Sequence, residues 1–349
     1  METALFYGGK DIRVERWDDP VPGPGEVLVH VDAAGICGSD LHGYRGESPW
    51  RRSMPYQDGH ELAGTVAAVG PGVAGLPVGQ PIGIEPEHLV GCGHCVACRR
   101  GDTHLCPARG QRHGEVHRSH GFAEYDVCIA EQVHPLPETV SVDAAAILDC
   151  YACGVHALRR ARVNPHQTVA VIGTGAIGMT TGQVARASGA ATVLMVGTRP
   201  EPLNVAIAAG AADEVISSSE ADPVEGVREW SGGADVVFET VGGTAPTLEQ
   251  AVSMARPGGV ICAMGVFTQP PVFEVRSAYS KELTMLWSNS YSSWGGVSEY
   301  EIALRMLAKG RVDPTPLITH HYRLAEIATA FAAAADKPTS GAIKVLVHP

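Results

Sequence analysis

The sequence has no apolar run approaching the ~18 residues that cross a bilayer. Its opening, Met1-Glu-Thr-Ala-Leu-Phe-Tyr7, has neither the basic region nor the long apolar core of a secretory leader. A basic excess is missing too. Lys and Arg number 26 against 38 Asp and Glu, a formal net charge of −12, and a field of that sign repels phosphate backbones. Nucleic-acid and membrane partners are therefore not expected, and the chain is expected in the cytosol. No repeat of fixed period occurs, and the only low-complexity stretches are Ala-rich helical segments. The 349 residues are 45% hydrophobic and 18% charged, a globular composition with length for one large or two ordinary domains. The nine cysteines are an odd number, which in a cytosolic chain argues against a disulfide framework and for metal ligation or free thiols.

Two textures follow one another. The first 150 residues hold short β-type runs, such as Val27–Val31 and Leu62–Val69, broken by Pro22-Gly-Pro-Gly25, Gly70-Pro-Gly72 and Gly79-Gln-Pro81. This spacing predicts a barrel-like β domain. From about residue 154, apolar strands at Val169–Ile172, Thr192–Val196, Glu214–Ile216, Asp235–Phe238 and Gly259–Met264 alternate with helical stretches, Ile177–Ser188 and Leu203–Ala209 among them. That alternation predicts a doubly wound parallel sheet. Near the end come helices over Ser298–Lys309 and Leu324–Ala335 and a strand over Ala342–Val347.

Three constellations carry chemistry. Cys92-x2-Cys95-x2-Cys98-x7-Cys106 offers four thiolates, enough to close a tetrahedral shell around a structural Zn²⁺; an iron–sulfur cluster is the chemical rival. Gly173-Thr-Gly175-Ala176-Ile177-Gly178 directly follows an apolar strand and opens a helix, the context that makes a dinucleotide-binding turn. The next strand should end in a carboxylate for a ribose with free hydroxyls. It reads Gly197-Thr198-Arg199 instead. Gly197 is expected to leave room there, and Arg199 to meet a 2′-phosphate, which favours NADP(H) over NAD(H). The third constellation is dispersed: Cys37-Gly-Ser39-Asp40-Leu-His42, Gly59-His60-Glu61 and Asp149. His104, His113, His117 and His120 form a further histidine-rich stretch, expected to be a solvated loop rather than a third metal site.

Together, and in this order, these motifs resemble the zinc-dependent medium-chain dehydrogenases, the group of alcohol, sorbitol and threonine dehydrogenases. The likeness runs over essentially the whole chain, including Gly258-Gly259 and Gly310–Ile318; Gly83-Ile-Glu-Pro86 is similar to the polyol branch. The resemblance implies a GroES-like β-barrel catalytic domain (1–153 and 290–349) and a Rossmann coenzyme domain (154–289). It implies two zinc ions per chain, a catalytic one on Cys37, His60 and Asp149 and a structural one on the four clustered cysteines. Glu61 is implied as a neighbouring acid able to approach the metal, Asp40 as the acid orienting His60, and Ser39 and His42 as a proton relay. Gly265 and Val266 are implied at the coenzyme, and Lys344 near its pyrophosphate. Asp149-Cys150-Tyr151 departs from the Glu-Pro-Leu of many polyol dehydrogenases, leaving Cys150 and Cys153 as competing thiols. The expected activity is hydride transfer between NADP(H), with NAD(H) possible, and a secondary alcohol, polyol or sugar, in a homotetramer or homodimer. A zinc-free quinone or enoyl reductase would need neither donor set, and a non-catalytic coenzyme-binding protein would have lost a ligand or relay residue. Loops Tyr44–Trp50, His113–His120 and Ser288–Trp294 are expected to shape the substrate pocket, their Ser, Asn, Tyr and Trp suiting a polyhydroxylated ligand.

Overall fold

The structure is a computed structural model that describes residues 1–47, 53–86, 90–111 and 119–349. Parts of two expected pocket loops, 48–50 and 113–118, lie outside the described residues, as do His113 and His117.

The chain begins with a hairpin, β1 (Glu2–Gly8) and β2 (Asp11–Arg16). It continues with β3 (Glu26–Gly35), β4 (Glu61–Val69), β5 (Pro81–Ile84), β6 (Tyr125–Ile129) and β7 (Val133–Pro135). Along β3, Val27, Val29 and Val31 are buried while His30 between them is exposed, the period of two that presents one face to a core. Six parallel strands follow: β8 (Thr168–Ile172), β9 (Thr192–Gly197), β10 (Glu214–Ser217), β11 (Ala234–Glu239), β12 (Ala255–Ala263) and β13 (Thr284–Trp287). After the small hairpin β14 (Ser293–Trp294) and β15 (Val297–Ser298) come β16 (Ile318–Arg323) and β17 (Lys344–His348).

Two compact units result. One comprises Met1–Asp149, Ser292–Ala308 and Ile318–Pro349; the other Cys150–Tyr291 and Lys309–Leu317. The division falls inside helix Leu148–Ala161, whose first residues the sequence reading gives to the β domain.

In the first unit the sheet runs β16-β17-β3-β4-β5-β7, with β6 pairing β3. Its core gathers Phe6, Phe122 and Phe331, with ring centroids 5.3–6.2 Å apart, around the buried valines of β3. β17 lies between β16 and β3, so the last strand of the chain is interior to the sheet. β16 is absent from the sequence reading. Its inward residues Ile318, His320 and Tyr322 are only half-buried and two of them are polar, so the alternation is weak.

In the second unit the order is β10-β9-β8-β11-β12-β13. Val169–Ile172 and Val193–Val196 are buried throughout, the continuous apolar pattern of strands covered on both faces. Strand order reverses between β8 and β11, where open parallel sheets bind ligands beyond their carboxyl ends.

Candidate metal centres and coenzyme cradle

Cys37 follows β3 by two residues and caps helix Gly38–Tyr44, its backbone N–H donating to Asp40 Oδ2 at 2.8 Å. The other oxygen of that carboxylate, Oδ1, faces His60 Nδ1 at 3.6 Å. Gly59 turns the chain at φ +108°, and a Cβ there would stand 2.6 Å from the Phe122 nitrogen, so only glycine brings His60 and β4 in at this angle. Donor atoms of Cys37, His60 and Glu61 consequently lie within 4.8 Å of one another. A thiol, an imidazole and a carboxylate suit zinc, and a carboxylate behind the imidazole is the usual way to orient a ligating histidine. Asp58, which the sequence reading does not single out, also converges with Asp40 and His60 within 4.8 Å. Its only sequence signal is its place just before Gly59-His60.

The electrostatics fit a cation. Burial, then the charge of Asp58, pushes the Asp40 carboxyl up to about 7. Burial and Glu61 raise the Cys37 thiol. Burial alone would lower His60, yet the charges of Cys37 and Asp40, with a smaller push from Asp149, hold it well above its ordinary value. Anionic donors crowded in a low dielectric favour the entry of positive charge.

Glu61 and Lys344 form a buried ion pair, 1% and 3% exposed, and the Lys344 ammonium also donates to the Ile36 carbonyl at 3.2 Å. Burial opposes ionisation of Glu61, but Lys344 outweighs it and lowers its pKa. Where the resemblance implies a contact to coenzyme phosphate, Lys344 is thus committed to an internal carboxylate. Asp149 is buried in the first turn of helix Leu148–Ala161. Ser39 and His42 lie on helix Gly38–Tyr44, both half-buried; burial, then Arg45, lowers the His42 pKa, which keeps its ring neutral at pH 7.

The four clustered cysteines come together as their spacing predicts, every sulfur within 4.8 Å of the others. Cys92 and Cys98 sulfurs are 4.0 Å apart, close to the roughly 3.8 Å that Zn–S bonds of about 2.3 Å impose in a tetrahedron. Backbone N–H groups of Cys92 and Ala108 point at the Cys106 sulfur, and that of Cys98 at the Cys95 sulfur, each at 3.4 Å. Hydrogen bonds from His94 and Cys95 lower the Cys92 thiol to about 6, whereas burial lifts Cys98 to about 12. Ser292 anchors the lobe by accepting from the Thr103 N–H at 2.8 Å and donating to the Gly101 carbonyl.

In the second unit Gly173 has φ +116°, and a Cβ on it would meet Thr240 Oγ1 at 2.6 Å. Gly175 caps helix Ala176–Ala187, and a Cβ at Gly178 would fall 2.0 Å from the Gly173 carbonyl. The turn is therefore compact enough to present the N–H groups of Ala176, Ile177 and Gly178 to an anion. Buried Glu239 supports the neighbouring loop by accepting from the N–H of Val241 and Gly242 at 2.8 and 2.9 Å and from Thr247 at 2.8 Å. Gly265 and Val266 border that loop, Gly243 donating to the Val266 carbonyl at 2.8 Å.

Thr198 is exposed at the end of β9, and Arg199 caps helix Pro200–Ala208. The expected space at Gly197 is not there: an added Cβ would meet Thr174 Cγ2 at 2.5 Å and Leu203 Cδ2 at 3.1 Å. Gly197 is a packing glycine, and the site beyond it is shaped by Thr198 and Arg199.

Residues 23–138 match the family described as the alcohol dehydrogenase GroES-like domain, and residues 176–309 that described as zinc-binding dehydrogenase. A sorbitol dehydrogenase of Halalkalibacterium halodurans is 32% identical over 98% of this chain and 97% of its own length. An L-threonine 3-dehydrogenase of Pyrococcus abyssi is 33% identical over 93% and 90%. A zinc-binding dehydrogenase structure from Sinorhizobium meliloti 1021, solved bound to NADP, superposes with a TM-score of 0.87 at 30% identity, covering 100% of this chain and 99% of that one. Among the described residues no helix is long and apolar enough to cross a membrane.

Proposed function

The chain belongs to the zinc-dependent medium-chain dehydrogenases, and on that premise we propose that it moves a hydride between NADP(H), in preference to NAD(H), and a secondary alcohol, polyol or sugar. The observation that carries the reading is the convergence of Cys37, His60 and Glu61, backed by Asp40.

When bound, zinc supplies Lewis-acid polarisation of the substrate oxygen and the nicotinamide exchanges the hydride. Cys37 Sγ and the His60 imidazole would hold the zinc, with Asp149, which is not among the donor atoms that converge on them, as the third ligand and Glu61, which is, as the adjacent acid kept ionised by Lys344. Asp40 fixes the His60 ring through Nδ1. Ser39 Oγ takes the hydroxyl proton of an alcohol substrate and passes it to the neutral His42 ring. Cys92, Cys95, Cys98 and Cys106 would hold a second, structural zinc. Gly173, Gly175, Ala176, Ile177 and Gly178 would form the pyrophosphate turn, with Gly265 and Val266 also at the coenzyme. Thr198 and Arg199 receive the 2′-phosphate. An assembly of two or four copies accompanies this reading.

A panel of secondary alcohols, polyols and sugars assayed with each coenzyme, together with elemental analysis, tests it. Two zinc ions per chain and NADP-linked oxidation are expected. One zinc or fewer, bound iron, or a preference for NAD overturns the corresponding part.

A further inference from the structure

We propose that Asp143, His321 and His348 form a surface site for a divalent transition-metal cation, separate from both cysteine-containing clusters, that clasps the last strand of the first unit to helix Val142–Ala145. One donor atom from each residue lies within 4.8 Å of the others.

The three come from different elements. His321 is on β16 and His348 on the adjacent parallel β17; His321 sits opposite Leu346 and His348 opposite Arg323, so the two imidazoles are diagonal neighbours on one face. Asp143 lies in the first turn of helix Val142–Ala145. Its Oδ2 is 3.8 Å from His321 Nδ1.

The His348 ring is already oriented. Its Nδ1 stands 2.9 Å from the Asp32 carbonyl, and a carbonyl there requires Nδ1 to carry the proton. Nε2 then presents its lone pair, and it faces His321 Nδ1 at 3.0 Å. A backbone carbonyl fixing the far nitrogen is how proteins set the tautomer of a ligating histidine. Two imidazole nitrogens on one metal at about 2.05 Å stand about 3.3 Å apart in a tetrahedron and about 2.9 Å apart in adjacent square-planar or octahedral positions. The observed 3.0 Å is the span of the hydrogen bond the two rings share; a cation would take the place of that shared proton, and an N,N,O donor set with imidazoles suits Ni²⁺, Cu²⁺ or Zn²⁺. The side chains are 50%, 41% and 31% exposed for His321, Asp143 and His348, which leaves further coordination positions to water.

The test is calorimetric titration of the full-length, zinc-loaded protein with Ni²⁺, a probe that does not oxidise thiols. Wild type is expected to take up one equivalent and to melt at a higher temperature once it has. His321→Ala and Asp143→Asn should each weaken that uptake by about tenfold or more, and His321→Ala/His348→Ala should abolish it, all with unchanged alcohol turnover. His321→Ala decides the matter by itself if loss of the Asp32 contact makes the His348 variant unstable. His113→Ala/His117→Ala should keep the equivalent. The site is overturned if wild type binds no tighter than the double variant, or if the equivalent disappears with His113 and His117 instead.

Discussion

At Arg199 a guanidinium stands at the end of β9 where a carboxylate would serve a ribose with free hydroxyls. A charge-assisted hydrogen bond to a 2′-phosphate is worth about 1.5–3 kcal/mol, so Arg199→Ala should weaken NADP(H) by roughly ten- to hundredfold and leave NAD(H) within a few-fold. Measuring kcat/KM with both coenzymes checks this, and equal loss for the two would refute it. Gly197→Asp should behave differently. Its Cβ meets Thr174 and Leu203, so the expected result is lost stability of about 1–3 kcal/mol in denaturant titrations rather than a coenzyme switch. Cys37→Ser should abolish turnover while leaving coenzyme affinity within a few-fold, read by fluorescence quenching on coenzyme titration. The missing carboxylate was legible because it is a local fact of the strand end. The crowding of Gly197 was not, because it depends on a loop and a helix that reach it from either side. In the same way Cys37 and His60 could be read from short motifs, whereas the partner of Glu61 lies 283 residues away.

Among elements, the cysteine lobe and the helix Glu299–Ala308 hold to the first unit by different means. The lobe is a short segment whose four sulfurs converge on one point and whose Thr103 and Gly101 are held by Ser292. Cys95→Ser should lower the melting temperature, by about 4–8 °C for a loss near 2 kcal/mol, more than it lowers kcat; the reverse pattern would assign the lobe to catalysis. The helix is tied through His134 on β7, whose Nε2 faces Glu85 at 3.1 Å and Nδ1 faces Glu301 at 3.2 Å. Burial opposes protonation of His134, but the hydrogen bonds and charges of Glu85 and Glu301 raise its pKa above the ordinary 6.5. A folded pKa above the unfolded one means the folded state holds the proton more tightly. This contribution is complete below about pH 6.5 and is lost as pH rises through the raised value. Urea titrations of wild type and His134→Gln across that window should converge toward high pH; parallel curves would rule the linkage out. The alternating and apolar strands were legible by period, as was the terminal strand to within two residues. β1, β2, β5, β6, β7 and β13–β16 were not named, β13 and β16 because half-buried edge strands carry mixed side chains.

At the scale of the whole molecule, Lys344 joins β17 to Glu61 of β4 inside the first unit. Lys344→Met leaves that carboxylate buried without its cation and should cost about 3–5 kcal/mol. Adding Glu61→Gln should return part of the loss, and a double variant no more stable than the single one would show that the pair is not the cause. The position of β17 also bears on how the protein is made. On the ribosome, Lys344 follows Asp149 by 195 residues, roughly 10–40 s of translation at about 5–20 residues per second. The residues of the second unit, 150–291 and 309–317, have all emerged before β17, so the coenzyme half is the earlier-born fold although it lies later in the chain than most of its companion. The cysteine lobe is closed within fifteen consecutive residues from Cys92 to Cys106, so its four sulfurs emerge together on the nascent chain. In the Cys37–His60–Glu61 cluster the cation that keeps Glu61 ionised, Lys344, is delivered last by translation, so that centre acquires its finished electrostatics only when β17 joins the sheet.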